Sequence, residues 1–401
     1  MTRTGSNRRA LIVGAGAALA VGTIASACNS STKSSSAAAG NSSNTASAGS
    51  TAGAGSSSGA PFTTQFQYGT FHLASSIASK VRNNQPITID ISYQGLSIPG
   101  APQLLEAGMK EGAAAVKAEY GRTVKVNLVG PPQDDTPQQI SQVQSLTSAG
   151  QVDCLGIEPV DPGAFSSVIN NAMSSGVPVF TVNTDSPQSH RIAYIGADDT
   201  NPSSPDWTGK IAGDFTVNWA KTNHIKLSSA VMTTGEPGAA WAVGRMTGWY
   251  QAMTAAFPGI KMLNTPNNAL GIGFTAGPAT NAIEAFMNGH PGTQMYFNTD
   301  FGAGYIANII GQRSLKNKVF TVGFNMNATI MKGLQDGTMV GTIDQRFDLQ
   351  GENLVKGCAA FLFKGQVPSS QFEYVKPSIW TPQNVTAAEK LYNSIPGSLG
   401  Q

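Results

Sequence analysis

Residues 153–183 read DCLGIEPVDPGAFSSVINNAMSSGVPVFTVN and contain one whole unit of alternating structure. DCLGIEP (153–159) and VPVFTVN (177–183) are short apolar runs. Between them, Asp161 and Pro162 occupy the cap and first-turn positions at which a helix starts. Phe165, Val168, Ile169, Ala172 and Met173 then fall on one helical stripe that Gly176 ends. A helix between two apolar strands predicts a right-handed crossover joining parallel strands of one sheet. The stripe is core and is assigned no chemistry.

The same alternation extends outward in both directions, with strands spaced about 25 residues apart. Upstream lie ITIDISY (87–93) and VKVNLVG (124–130). They are followed by a helix with Ile140, Val143 and Leu146 on one face, for which Thr136, Pro137 and Gln139 read as a capping box. Downstream, a second series comprises SSAVMTTG (228–235), GIKMLNT (259–265), TQMYFNT (293–299), KVFTVGF (318–324) and MVGTIDQ (339–345), with helical stretches between. A chain of 401 residues suits two domains with cores of their own. The fold class expected is α/β, with two doubly wound parallel-sheet domains.

Before these domains, residues 1–28 carry Arg3, Arg8 and Arg9, then an uncharged run from Ala10 to Ala27, then Cys28. This pattern predicts an export signal peptide, by either the general or the twin-arginine route. The small residues of IASAC before the cysteine resemble the lipobox of bacterial lipoproteins. Cys28 is therefore the candidate lipidation site, holding the protein by acyl chains at the outer face of the cell membrane. Residues 29–60 are nearly all Ser, Ala, Gly, Thr and Asn and read as a disordered tether. Of the 25 Lys and Arg residues, three precede Cys28, so the remaining chain sets 22 basic against 23 acidic residues. With charged residues only 12% of the chain, there is no broad basic face for nucleic acid and no polybasic patch for a membrane. A small neutral ligand fits better. Export permits a disulfide between Cys154 and Cys358, although their apolar surroundings favour buried free thiols. No role is read for residues 61–84.

In open parallel sheets the ligand crevice lies beyond the carboxyl ends of the strands. The residues there are Tyr93 and Gln94, Pro131 to Asp135, Glu158 and Asp161, Asn183 and Asp185, Glu236, Thr299 and Asp300, Asn325, and Gln345. Asp and Asn favour such turns for local reasons, but their recurrence at one edge of two sheets is polyol chemistry. Amides and carboxylates bond adjacent hydroxyls, and an aromatic face packs on the C–H face of a sugar ring. The four histidines, His72, His190, His224 and His290, lack metal-ligand spacing, and no nucleophile motif stands out. An enzyme is the remote alternative, and no metal or cofactor is expected. A repressor of related fold would place a helix-turn-helix before the domains and have no export signal.

Four segments carry a resemblance to the ribose-type periplasmic sugar-binding family, from residue 87 to the C-terminus. They are GVPVFTVNTDSPQSHRIAYIGADD (176–199), GEPGAAWAVGRMTGWYQAM (235–253), MYFNTDFGAGYIANII (295–310) and VFTVGFNMNATIMKGLQDGTMVGTIDQRFDLQGE (319–352). The resemblance implies a type 1 periplasmic binding protein with a three-crossover hinge near Asp198, Gln345 and Val375. One lobe would comprise residues 85–198 and 346–375, the other 199–345 and 376–401, which puts both cysteines in the first. Asn183 and Asp185 would contact ligand from the first lobe; Arg245, Asp300, Asn325 and Gln345 would contact it from the second lobe and hinge. Tyr93, Gln94 and Trp241 complete the candidate set, and Arg245→Ala is expected to lose affinity with folding largely retained. The family's Asp-Arg is here Asn183-Thr184, a usual Asp is Asn325, and QGLSIPGAPQ (94–103) replaces an aromatic-rich segment. These departures point to a ligand held differently from ribose. The function implied is capture of a small sugar or polyol for the permease of an ABC transporter. The alternative is a sensor lipoprotein that presents ligand to a receptor.

Overall fold

The structure, a computed structural model, describes residues 63–395 and 397–399; the signal segment, the tether and Cys28 lie outside them. The described chain opens with a hairpin of Thr63–Phe66 (β1) and Gly69–His72 (β2), then helix Ser75–Arg82 (α1). This segment, given no role by its sequence, packs against three distant parts of the chain. Tyr68 stacks on His190 at 4.3 Å, Phe71 meets Phe361 edge-on at 5.6 Å, and Lys80 Nζ lies 2.8 Å from the buried Asp153 carboxylate.

The first sheet is built from Ile87–Ser92 (β3), Val124–Val129 (β4), Cys154–Ile157 (β5), Val179–Val182 (β6) and Tyr194–Gly196 (β7). Helices Ala101–Tyr120 (α2), Thr136–Ser148 (α3) and Pro162–Ser174 (α4) connect them. The chain then leaves this sheet for Thr208–Thr222 (α5), Ser229–Thr234 (β8), Ala240–Ala256 (α6), Lys261–Met262 (β9), Leu270–Gly271 (β10) and Ala276–Gly289 (α7). Met295–Asn298 (β11), Ala303–Gln312 (α8), Phe320–Phe324 (β12), Ala328–Gln335 (α9) and Gly341–Asp344 (β13) come next. It returns through Phe347–Lys364 (α10) to Phe372–Tyr374 (β14), and crosses once more into Ser378–Trp380 (β15) and Val385–Asn393 (α11). The sheets run β14-β7-β6-β5-β3-β4 and β10-β8-β11-β12-β13-β15, parallel throughout except β15, with β9 also on β8. Both are doubly wound parallel sheets, as read from the sequence. Ile87, Ile89 and Ile91 are wholly buried on one face of β3, and Asp90 and Ser92 are buried on the other, as in a strand covered on both sides.

Three local expectations are corrected. The α3 cap is Asp135, whose carboxylate accepts from the Gln138 amide at 2.9 Å; Thr136 is already helical, and Gln139 turns inward instead of closing a capping box. The strand expected over 259–265 shortens to β9, and β10 forms separately beyond it. Asn264 fills the gap, its side-chain amide accepting from Met232 N and donating to Met232 O as a strand residue would. Cys154 and Cys358 are not free thiols but a disulfide with Cα atoms 6.0 Å apart. Both are buried as their surroundings imply, and α10, returning over the first sheet, brings the second cysteine to β5.

Close helix contact is the other organising feature. A Cβ on Gly108 of α2 would lie 1.8 Å from the Asp348 carbonyl oxygen of α10, and one on Gly209 of α5 would lie 2.6 Å from the Gly244 oxygen of α6. Each lobe thus has a helix pair that meets backbone to backbone.

Candidate functional site

In both sheets the strand order reverses beside the first strand of the lobe, between β3 and β5 and between β8 and β11. A crevice opens at such a switch point. Tyr93 and Gln94 follow β3, Asn183 follows β6, Asp300 follows β11, Asn325 follows β12 and Gln345 follows β13; Trp241 and Arg245 lie in the first two turns of α6. The structure brings these eight candidates to the wall of one space of about 320 Å³, counting its mouth. Asn183 and Asn325 sit at equivalent strand ends with φ of 63° and 64°, a left-handed conformation that Asn adopts more readily than most residues.

Asp185 is not on that wall. Its carboxylate accepts from Arg191 Nη2 at 2.5 Å, from Arg191 Nε, and from Thr181 Oγ1 at 2.7 Å. A cation six residues away takes up both oxygens and holds them from the cavity.

Arg245 is only 2% exposed and is held from several sides. Nε and Nη2 donate to the two Asp199 carboxylate oxygens at 2.9 and 2.6 Å, Nη1 to Thr299 O at 2.7 Å, and Nη2 also to Gln345 Oε1 at 2.5 Å. Its guanidinium carbon lies 4.8 Å from the Trp241 ring centre and 4.5 Å from that of Phe324. Of the five N–H groups of a guanidinium, these bonds use four and leave one for a ligand. Gln345 Nε2 in turn donates to Asn325 Oδ1 at 2.9 Å. The network ties Asp199, on the first crossing between lobes, to Gln345, on the second.

The opposite wall centres on Glu158, a strand-end residue outside the candidate set. Its oxygens accept from Asn183 Nδ2 and from the Gln94 amide. Gln139 anchors the turn, donating to Ser92 O at 3.2 Å and to Glu158 O at 3.0 Å. Burial is the main cause that raises the Glu158 carboxyl to about 8, with Glu236 and Asp134 pushing the same way. Glu236, half-buried after β8, is raised to about 7, first by burial and then by Asp134 and Asp300. Burial also raises Asp300, although Gly235 N, Gly302 N and Thr299 Oγ1 donate to it. Gln94 Oε1, Asn183 Oδ1 and Glu236 Oε2 are buried without a hydrogen-bond partner.

Ile98, Phe274, Phe301 and Phe347 complete the apolar part of the wall. A search for polar residues after strands passes over them. Phe301 and Phe347 nevertheless sit one and two positions beyond the candidates Asp300 and Gln345, and that adjacency was the available signal.

Residues 95–365 match the model of a family described as "Periplasmic binding protein domain". The ribose import binding protein of Bacillus subtilis is 25% identical over 272 residues, covering 67% of this chain and 80% of that protein. Its namesake in Escherichia coli is 24% identical over 266 residues, covering 66% and 82%. Among solved structures, a galactofuranose binding protein superposes with a TM-score of 0.64 at 19% identity, covering 77% of this chain and 99% of that one. A glucose-galactose binding protein from Geobacillus stearothermophilus gives 0.62 at 22% identity, covering 75% and 99%.

Proposed function

This chain belongs to the periplasmic binding protein family whose model it matches over residues 95–365, and from that premise we propose that it captures a small sugar or polyol between its two lobes and delivers it to the permease of an ABC importer. The observation that carries the reading is the convergence of strand-end amides, carboxyls and one arginine from both sheets on a single small space with aromatic walls. Amides and carboxyls suit vicinal hydroxyls, and the faces of Tyr93, Trp241 and the phenylalanines suit the C–H face of a ring. The names of the relatives support sugars as the ligand class and binding, not catalysis, as the activity. None of the four histidines lines the space. The signal-like segment and Cys28 support an exported protein held by lipid at the outer face of the membrane. The test is a melting-temperature screen against pentoses, hexoses and sugar alcohols. A ligand at 100 times its dissociation constant stabilises by about 2.7 kcal/mol, so the true sugar raises the melting temperature; no shift with any of them at millimolar concentration would sink the reading.

A further inference from the structure

The wall has more acceptors than a neutral ligand requires and too little positive charge to balance its acids. Glu158 of the first lobe and Asp300 of the second line the cavity; Asp134 and Glu236 lie outside its wall but near enough for both to act on Glu158, and for Asp134 and Asp300 to act on Glu236. Among the described residues Arg245 is the one cation lining the cavity, and Asp199 already pairs with it at 2.6 Å. Buried like charges are costly unless a proton or a counter-charge arrives. Three acceptors stand ready: Gln94 Oε1 and Asn183 Oδ1, on residues 5% and 8% exposed whose other atoms hold Glu158, and Glu236 Oε2. An ammonium group has three donors and no acceptor. Among the described residues no three acids, histidines or cysteines converge to hold a metal ion.

We propose that the ligand carries a protonated amine, as an amino sugar or aminated polyol does, and that the group is received beside Glu158 by the side-chain oxygens of Gln94 and Asn183, with Glu236 closing on it from the second lobe. The proposal rests on the sugar-binding reading and departs from the neutral ligand that the overall charge balance suggests. The first-lobe acceptors hold the amine in the open form, and Glu236 adds its charge only when the lobes meet. The ligand thereby removes the repulsion that opposes closure.

Calorimetry with matched probes tests it: D-glucosamine, D-galactosamine and 1-amino-1-deoxy-D-sorbitol, each against its hydroxyl parent and, for the two sugars, its N-acetyl derivative. The amines bind at least about tenfold more tightly than their uncharged partners, the effect of one charge-assisted bond. Binding also releases protons, read from buffers of differing ionisation enthalpy. Glu158 and Glu236 release them, and the groups that face these two carboxyls are Asp134, Asp300, Tyr93 and Arg245. Glu158→Gln and Glu236→Gln each remove most of the preference. Equal or tighter binding of an uncharged partner overturns the amine while leaving the sugar reading intact. Silence from every probe, with a normal melting transition, overturns the amine; silence in the wider neutral-sugar screen as well removes the sugar reading too.

Discussion

Arg245 lines the cavity and also ties Asp199 to Gln345. Its place early in the helix after a strand was legible, but its partners argue against the expectation that Arg245→Ala largely retains folding. Removing it strands the Asp199 carboxylate at 3% exposure, a loss of about 3–5 kcal/mol. Urea denaturation should show Arg245→Ala with a much lower midpoint than wild type, and an unchanged midpoint would mean the network carries no stability. Glu158 sets a pH dependence. Its carboxyl titrates near 8 when folded against a reference of 4.5, so the native state binds the proton more tightly. Its stabilising contribution is complete below the reference value and is lost as pH rises through 8. Glu236, at about 7, acts in the same direction. The unliganded protein should therefore have a lower urea midpoint at pH 8.5 than at pH 6, and Glu158→Gln should flatten the slope. Asp185 and Glu158 show the limit of reading strand ends. Both are carboxylates just past a strand, and only the position of Arg191 in space decides that one is taken up and the other faces the cavity.

Apolar runs and alternation made β3 to β6, β8, β9 and β11 to β13 legible, whereas β10, two residues long, was not read from the sequence. The others were hidden by brevity: β7, β14 and β15 have three residues each, too few to show a period, and pairing alone makes them strands. The glycine contacts left a signal that the search for strand ends passes over: Gly108–Gly112, Gly209–Gly213 and Gly244–Gly248, each four apart on one helix face, a spacing that lets backbones approach. Gly108→Ala should separate α2 from α10 at a cost of about 1–3 kcal/mol or more, seen as a lowered melting temperature; a neutral result would show that the helices part freely. The disulfide joins β5 to α10 across 204 residues. Its removal in Cys154→Ser with Cys358→Ser should cost about 2–4 kcal/mol in urea denaturation.

At the scale of the molecule, each lobe supplies one wall, so under the proposed function a ligand would gain its second set of bonds only in the closed form, and its differential affinity would drive closure. Hinge closure is general to periplasmic binding proteins; the walls named here are particular to this chain. Small-angle scattering should give a smaller radius of gyration with the identified ligand, and equal radii with binding confirmed would mean locked lobes. Cys28→Ser should shift the protein from the detergent phase to the aqueous phase on partitioning, whereas native behaviour of the variant would exclude the lipid anchor. The crossings between lobes also set the order in which each lobe becomes complete as the chain emerges. The first lobe begins the described chain, yet its sheet lacks an edge until Phe372–Tyr374 emerges, and its disulfide lacks a partner until Cys358. By then every parallel strand of the second sheet has been translated. Domains that are contiguous in sequence fold in order from the N-terminus; here the lobe that starts first is completed only after the parallel core of its neighbour, so a nascent chain halted before residue 372 contains neither lobe whole.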